Sequence, residues 1–336
     1  MRRLLKGIGI LVGLIVVVLA GAYGWVSATW NADYSAMARP SVRASTDPAV
    51  IAHGEYLFHA VAHCSVCHGG PSGPTRKRGD RWPAVGGYQW HAEPFGTFVA
   101  RNLTADRETG VGAQSDGDLA RAVRSGVDHQ GRFMPFMKLG VGPIADEDLA
   151  AVISYVRTLA PVRREEEPEV WGLVGKYLAA TTLKPSPKVP PPYVPASAEP
   201  SAARGAYLAN GPAACRFCHT KHDAMAGFVE TGVPFSGGDV EGDETDPVAE
   251  FEAPNLTPDP ASSPLAAWDE ATFVTRFRGG KAFRGSSMPW ESFAEMTEAD
   301  VRSLYRYLRT LTPVTVVAGP SHRPAGWKPA TSTKSS

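Results

Sequence analysis

The sequence carries no excess of charge of either sign: 34 lysines and arginines stand against 34 aspartates and glutamates. No global field therefore draws it to nucleic acid or to an anionic surface. Strictly alternating apolar and polar stretches of useful length are missing, which favours an all-α architecture over α/β. Cysteine is scarce, with four among 336 residues, so any structural use of it is confined to one or two sites. Proline (29) and glycine (34) are plentiful, and much of the fold should be loop. At roughly 100 to 200 residues per domain, the length predicts two domains.

The first thirty residues differ from the rest. Arg2, Arg3 and Lys6 precede an uncharged apolar run from Gly7 to Val26. About 20 residues at 1.5 Å each match the ~30 Å hydrocarbon core of a bilayer, and Trp25 and Trp30 stand where interfacial aromatics belong. The expectation for residues 1–30 is an uncleaved membrane anchor. Ala20-Gly21-Ala22 also offers a small-residue cleavage site, so a cleaved signal peptide is the competing reading. In both, the basic residues stay cytoplasmic and everything after residue 30 is exported.

All four cysteines fall in two copies of one pattern, Cys64-Ser65-Val66-Cys67-His68 and Cys215-Arg216-Phe217-Cys218-His219. C-x-x-C-H is the attachment signature of c-type haem: the two thiols form thioethers to the haem vinyl groups and the histidine reaches the iron from one face. Two disulfides or a zinc site are the alternatives. The 151 residues between the pairs, and a histidine directly after each, argue against both. The expected cofactors are two covalently bound haems c.

Aligned on these motifs, the chain repeats itself. Gly54-Glu55-Tyr56-Leu57 answers to Gly205-Ala206-Tyr207-Leu208, Asn102-Leu103-Thr104 to Asn255-Leu256-Thr257, and Met134-Pro135 to Met288-Pro289. The stretch from Tyr155 to Val162 is echoed by Tyr307 to Val314. Each copy should close on a helix, Asp146–Leu159 and Thr297–Leu311, with acidic residues in the first turn and a proline just beyond. A shorter helix follows Asp118 and ends at Gly126, and another follows Glu270 and ends at Gly279. Met134 and Met288 are the candidates for the sixth iron ligand, a thioether that raises the reduction potential. Met137 and His129 are the rivals in the first copy and have no counterpart in the second. The sequons at Asn102 and Asn255 read as structural residues rather than glycan sites, because both copies carry them.

With G-x-Y-L, C-x-x-C-H, N-L-T, M-P and Y-x-R-T-L-x-P-V in each half, the chain resembles class I cytochrome c domains. It is similar to the cytochrome c subunits of membrane-bound bacterial alcohol and aldehyde dehydrogenases. Those subunits typically carry three haem domains and this chain has two. The resemblance implies two tandem class I cytochrome c domains, at 48–165 and 198–316, behind the N-terminal transmembrane helix. It implies a place in the bacterial inner membrane with the haem domains facing the periplasm. The expected function is electron transfer from a membrane-associated or periplasmic donor to a respiratory acceptor. A dehydrogenase subunit or terminal oxidase would be the redox partner, and the chain would carry no catalytic residues of its own. A peroxidase-like dihaem enzyme with one open haem site is the alternative, and the two matching methionines speak against it.

Residues 166–197 read as a proline-rich, semi-rigid linker with a short helix near Trp171–Leu178. Asp239, Glu241, Asp243, Glu244 and Asp246 read as a solvated acidic loop, Arg76, Lys77, Arg78 and Arg81 as a solvated basic one. Residues 319–336 should be a disordered tail.

Overall fold

The computed structural model describes residues 2–70, 78–79, 81–243, 245–282, 285–317 and 319–328. Arg76, Lys77 and Glu244 lie outside the described residues.

The N-terminal helix α1 (Arg2–Thr29) has 28 residues, about 42 Å at 1.5 Å each. It stands clear of the protein, with Val26 its only buried residue. It is long and apolar enough to cross a membrane, as an anchor or a signal segment.

The first half follows with α2 (Pro48–Tyr56), continued by a π turn over Leu57–Val61, and with α3 (Cys64–His68), α4 (Asp116–Ser125), α5 (Pro135–Leu139) and α6 (Asp146–Val156). The linker holds α7 (Leu173–Ala180). The second half contributes α8 (Ala202–Asn210), α9 (Cys215–Cys218), α10 (Glu270–Arg278), α11 (Trp290–Phe293) and α12 (Glu298–Leu308). Local chemistry sets the ends. Ser115 and Asp118 form a reciprocal capping box on α4, and Gly126 stops it at φ 68°. The Thr297 hydroxyl accepts from the Asp300 amide at the start of α12.

The fold is mostly helical, but it is not purely the all-α architecture expected, because short strands are present. Among the described residues β1 (Gln89–Ala92), β2 (Gly96–Val99) and β3 (Val170–Trp171) form one antiparallel sheet. A second pairs β4 (His222–Asp223) with β5 (Val229–Glu230). A third joins β6 (Val240–Asp243), β7 (Asp246–Glu252) and β8 (His322–Pro324). These strands are short, and β1 shows no inside–outside alternation, so the period-2 signal is absent. Two corrections follow. The acidic stretch is largely a hairpin, and residues 322–324 of the expected tail are a strand on its edge. Arg323 holds that edge, with Nε donating to Glu250 at 2.7 Å and Nη1 to Glu252 at 2.5 Å.

The main apolar core runs continuously through both halves, from Leu57, Leu149 and Ile153 to Leu208, Val301 and Leu304. In each half the opening helix crosses the closing one at a glycine. A Cβ on Gly54 would meet the Ala151 oxygen at 1.9 Å, and one on Gly205 the Ser303 oxygen at 1.9 Å.

The halves also exchange polar contacts reciprocally. The Tyr56 hydroxyl donates to Asp300 Oδ2 at 2.7 Å, and the Tyr207 hydroxyl donates to Asp148 Oδ2 at 2.5 Å. Each carboxylate is fully buried and takes a cation or imidazole from its own half. Arg204 makes two bonds to Asp300, and His53 Nε2 lies 2.7 Å from Asp148.

Candidate functional site

Each C-x-x-C-H segment forms a helical turn, which brings thiols three positions apart onto one face. Both turns are entered through a residue in the left-handed region, His63 at φ 42° and Ala214 at φ 51°. That conformation costs energy in a side-chain-bearing residue and marks a site that the surroundings hold in place. The four cysteines are unpaired, which removes the disulfide reading. Among the described residues no group of three or more His, Cys, Asp or Glu is placed to hold a metal ion, which removes the zinc reading. Burial pushes the Cys64, Cys67 and Cys215 thiols up to about 12, so they stay neutral.

The two histidines are held alike. His68 Nδ1 lies 2.8 Å from the Arg101 carbonyl, and His219 Nδ1 lies 2.8 Å from the Pro254 carbonyl. Only a protonated Nδ1 can satisfy a carbonyl, so Nε2 is left as the lone-pair atom in both rings. Burial lowers both imidazoles from their ordinary value and keeps them neutral. Backbone closes over each: Gly86 N–H donates to the His68 carbonyl at 2.9 Å and Gly237 N–H to that of His219 at 3.0 Å. Paired neutral thiols beside an imidazole with its Nδ1 fixed and its Nε2 open are a donor set that fits a c-type haem.

The N-L-T segments hold the carbonyl-bearing loops. Asn102 Nδ2 donates to the Val162 carbonyl at 2.9 Å, and its Oδ1 accepts from Thr104 N at 3.0 Å. Asn255 repeats this with Val314 at 2.8 Å and Thr257 at 2.9 Å. Both asparagines are buried and fully engaged, which explains the motif without a glycan.

Met134 is an extended residue directly ahead of α5, and Pro135 opens that helix. Met288 is half-buried against the main core, with Pro289 before α11. Met288 lines a small cavity together with Val66 of the first cysteine motif. On the other side, a Cβ on Gly142, past Met134, would touch the Gly211 oxygen at 1.8 Å, just ahead of the second motif. The Met288 segment thus runs beside the cysteine turn of the opposite half, and the chain past α5 meets the backbone that leads into the second cysteine turn. His129 is an exposed residue.

Lys188 carries no signal in the sequence, where it sits inside the proline-rich run. Its Nζ turns inward and donates to the carbonyls of Met137 at 3.0 Å and Val141 at 2.5 Å, pinning the segment that follows Met134. Burial, with the neighbouring Lys138 and Arg124 cations, pushes this amine down to about 7 from 10.5. Between those values the unfolded chain holds the extra proton, so stability should rise with pH across this window. Denaturant midpoints taken at pH 7 and pH 9 should show the rise in the natural protein and a smaller one in Lys188→Met. An equal rise in both would remove Lys188 as its source.

The comparisons with known proteins bear on this geometry. No protein-family model matches the chain. It is 30% identical to the gluconate 2-dehydrogenase cytochrome c subunit of Pantoea cypripedii over 281 residues, 78% of this chain and 60% of that protein. It is 26% identical to a protein of Cereibacter sphaeroides named diheme cytochrome c-type, over 88% of this chain and 96% of that protein. This chain is a relative of c-type cytochromes. These cytochrome c relatives imply covalently bound haem c. A nicotinate dehydrogenase subunit from Pseudomonas putida is 27% identical over 320 residues, 89% of this chain and 24% of that protein. The chain thus spans between about a quarter and three fifths of the length of these two dehydrogenase relatives.

Proposed function

We propose that the chain is an electron-transfer cytochrome carrying two haems c. One is attached at Cys64 and Cys67 with His68 as ligand, the other at Cys215 and Cys218 with His219, and Met134 and Met288 complete the iron coordination. The observation that carries this reading is the duplicate imidazole geometry, with Nδ1 of His68 and of His219 each held 2.8 Å from a backbone carbonyl. Two haems, and two haem-binding halves at 48–165 and 198–316, are further supported by coverage of 96% of the dihaem relative.

When bound, such a group supplies one-electron chemistry at a potential set by its axial ligands. The chain's own part is to keep the imidazoles neutral, orient them and limit water around them. A membrane-associated or periplasmic dehydrogenase is the proposed donor and a respiratory oxidase the proposed acceptor, with α1 as the anchor and the haem-bearing halves in the periplasm. The names of the relatives support the donor class.

The test is the weak ~695 nm band of ferric haem that reports methionine sulfur on iron. Met134→Ala and Met288→Ala should each remove about half of it and lower one midpoint potential by on the order of 0.1 V, within the roughly 0.8 V range axial ligands command. A variant that leaves both band and potential unchanged removes that methionine from the ligand set. If one haem lacks the band from the outset, an open-site enzyme replaces the electron carrier.

A further inference from the structure

The proposed anchor does not leave the protein freely at its end. Val26 is buried, the Trp30 ring lies 5.3 Å from the Trp171 ring, and Lys176 Nζ stands 5.2 Å over Trp30. The linker helix α7 is therefore fixed beside the last turn of α1. One side of α7 packs inward, with Leu178 buried and Val174 against the satellite core of Phe133 and Leu183. The other side is also apolar. Leu173 and Tyr177, one turn apart on the same face, are 61% and 44% exposed, and Val170 just before them is 62% exposed.

We propose that Val170, Leu173 and Tyr177 form a second membrane contact, seated at the headgroup–acyl boundary of the bilayer that α1 crosses. The proposal rests on α1 being an uncleaved anchor. Three observations support a lipid surface as the occupant. The first is height: the apolar run of α1 ends at Val26, so Trp30 marks the interface, and residues packed on Trp30 share its depth. The second is composition, because tryptophan, tyrosine and lysine around exposed aliphatic side chains are the residue types that settle at that boundary. The third is charge. Residues 170–180 contain no acidic residue, and the preceding Glu169 pairs with Arg101 at 3.5 Å. A short helix apolar on both sides is expensive in water and suited to an interface between protein and lipid. With the membrane held at two places, the haem-bearing halves would lie at a set orientation above it instead of swinging from one helix.

The full-length holoprotein, reconstituted in phosphatidylcholine–phosphatidylglycerol vesicles, tests this by site-directed spin labelling. Haem attachment consumes the four native cysteines, so an introduced cysteine is the sole reactive thiol. Labels go one at a time at Leu173→Cys, Tyr177→Cys, Val16→Cys within α1 and Val248→Cys on the third sheet. The expected result is an oxygen-to-nickel-chelate collision ratio several-fold higher at 173 and 177 than at 248, approaching that at 16. An immersed label at 16 with aqueous labels at 173 and 177 would overturn the proposal and leave the anchor standing. A label at 16 that is aqueous, or lost through cleavage, would overturn the anchor and the proposal with it.

Discussion

Asp300→Ala should lower stability by about 3–5 kcal/mol, the usual consequence of removing one partner from a buried ion pair. Arg204 is 2% exposed, and its guanidinium makes two bonds to this carboxylate. A guanidinium does not shed its proton in a protein, so the variant keeps a buried charge that has lost the carboxylate bonded to it. The Tyr56 hydroxyl loses its acceptor as well. Asp148→Ala should cost less, about 1–3 kcal/mol, as for a lost buried hydrogen bond. There the partners left behind are the Tyr207 hydroxyl and His53, whose side chain is 24% exposed to water, and neither is a guanidinium with a permanent charge. Denaturant unfolding of the two variants against the natural protein measures the difference. Equal losses would mean that the charge of Arg204 is compensated elsewhere.

Gly205→Ala should also destabilise strongly, and here the sign is the informative part. Inside a helix this exchange ordinarily gains up to about 1 kcal/mol. In α8 the added methyl would sit 1.9 Å from the Ser303 oxygen and 2.5 Å from its carbonyl carbon. Backbone atoms cannot rotate aside, so α8 and α12 must separate and open the core between them. A net loss on the order of 2–3 kcal/mol is expected, at the upper end of overpacking costs. Gly54→Ala should behave alike in α2, where the Ala151 oxygen lies at 1.9 Å. A stabilised variant at either position would show that these helices do not cross as closely as described.

These two predictions show where the sequence was legible. The repeated G-x-Y-L is visible without a structure, and so is the periodicity of α6 and α12, because caps and apolar stripes are local. The reasons behind G-x-Y-L are not local. Its glycine serves a helix about 100 residues away in sequence, its tyrosine serves the aspartate of the other half, and its leucine lies in the shared core. The short strands escaped because pairs such as Val170–Trp171 form only once β2 is beside them. Lys188 escaped for the same reason, since a lysine among prolines reads as solvated until the carbonyls of Met137 and Val141 surround it. The two cysteine turns were legible from their spacing, whereas the carbonyls that orient the two histidines come from loops more than 30 residues downstream.

The exchanged tyrosine–aspartate bonds have a consequence for assembly. A contact in which one body's tyrosine meets the other's aspartate, and the reverse, is the isologous contact of a twofold dimer. Here a single chain closes it on itself. A surface of this kind is complementary to every copy of itself, so an unpaired half would present a ready face to a neighbouring molecule. The chain between α6 and α8, by supplying the matching half at high local concentration, keeps that face occupied and gives the reciprocal contact without a second subunit.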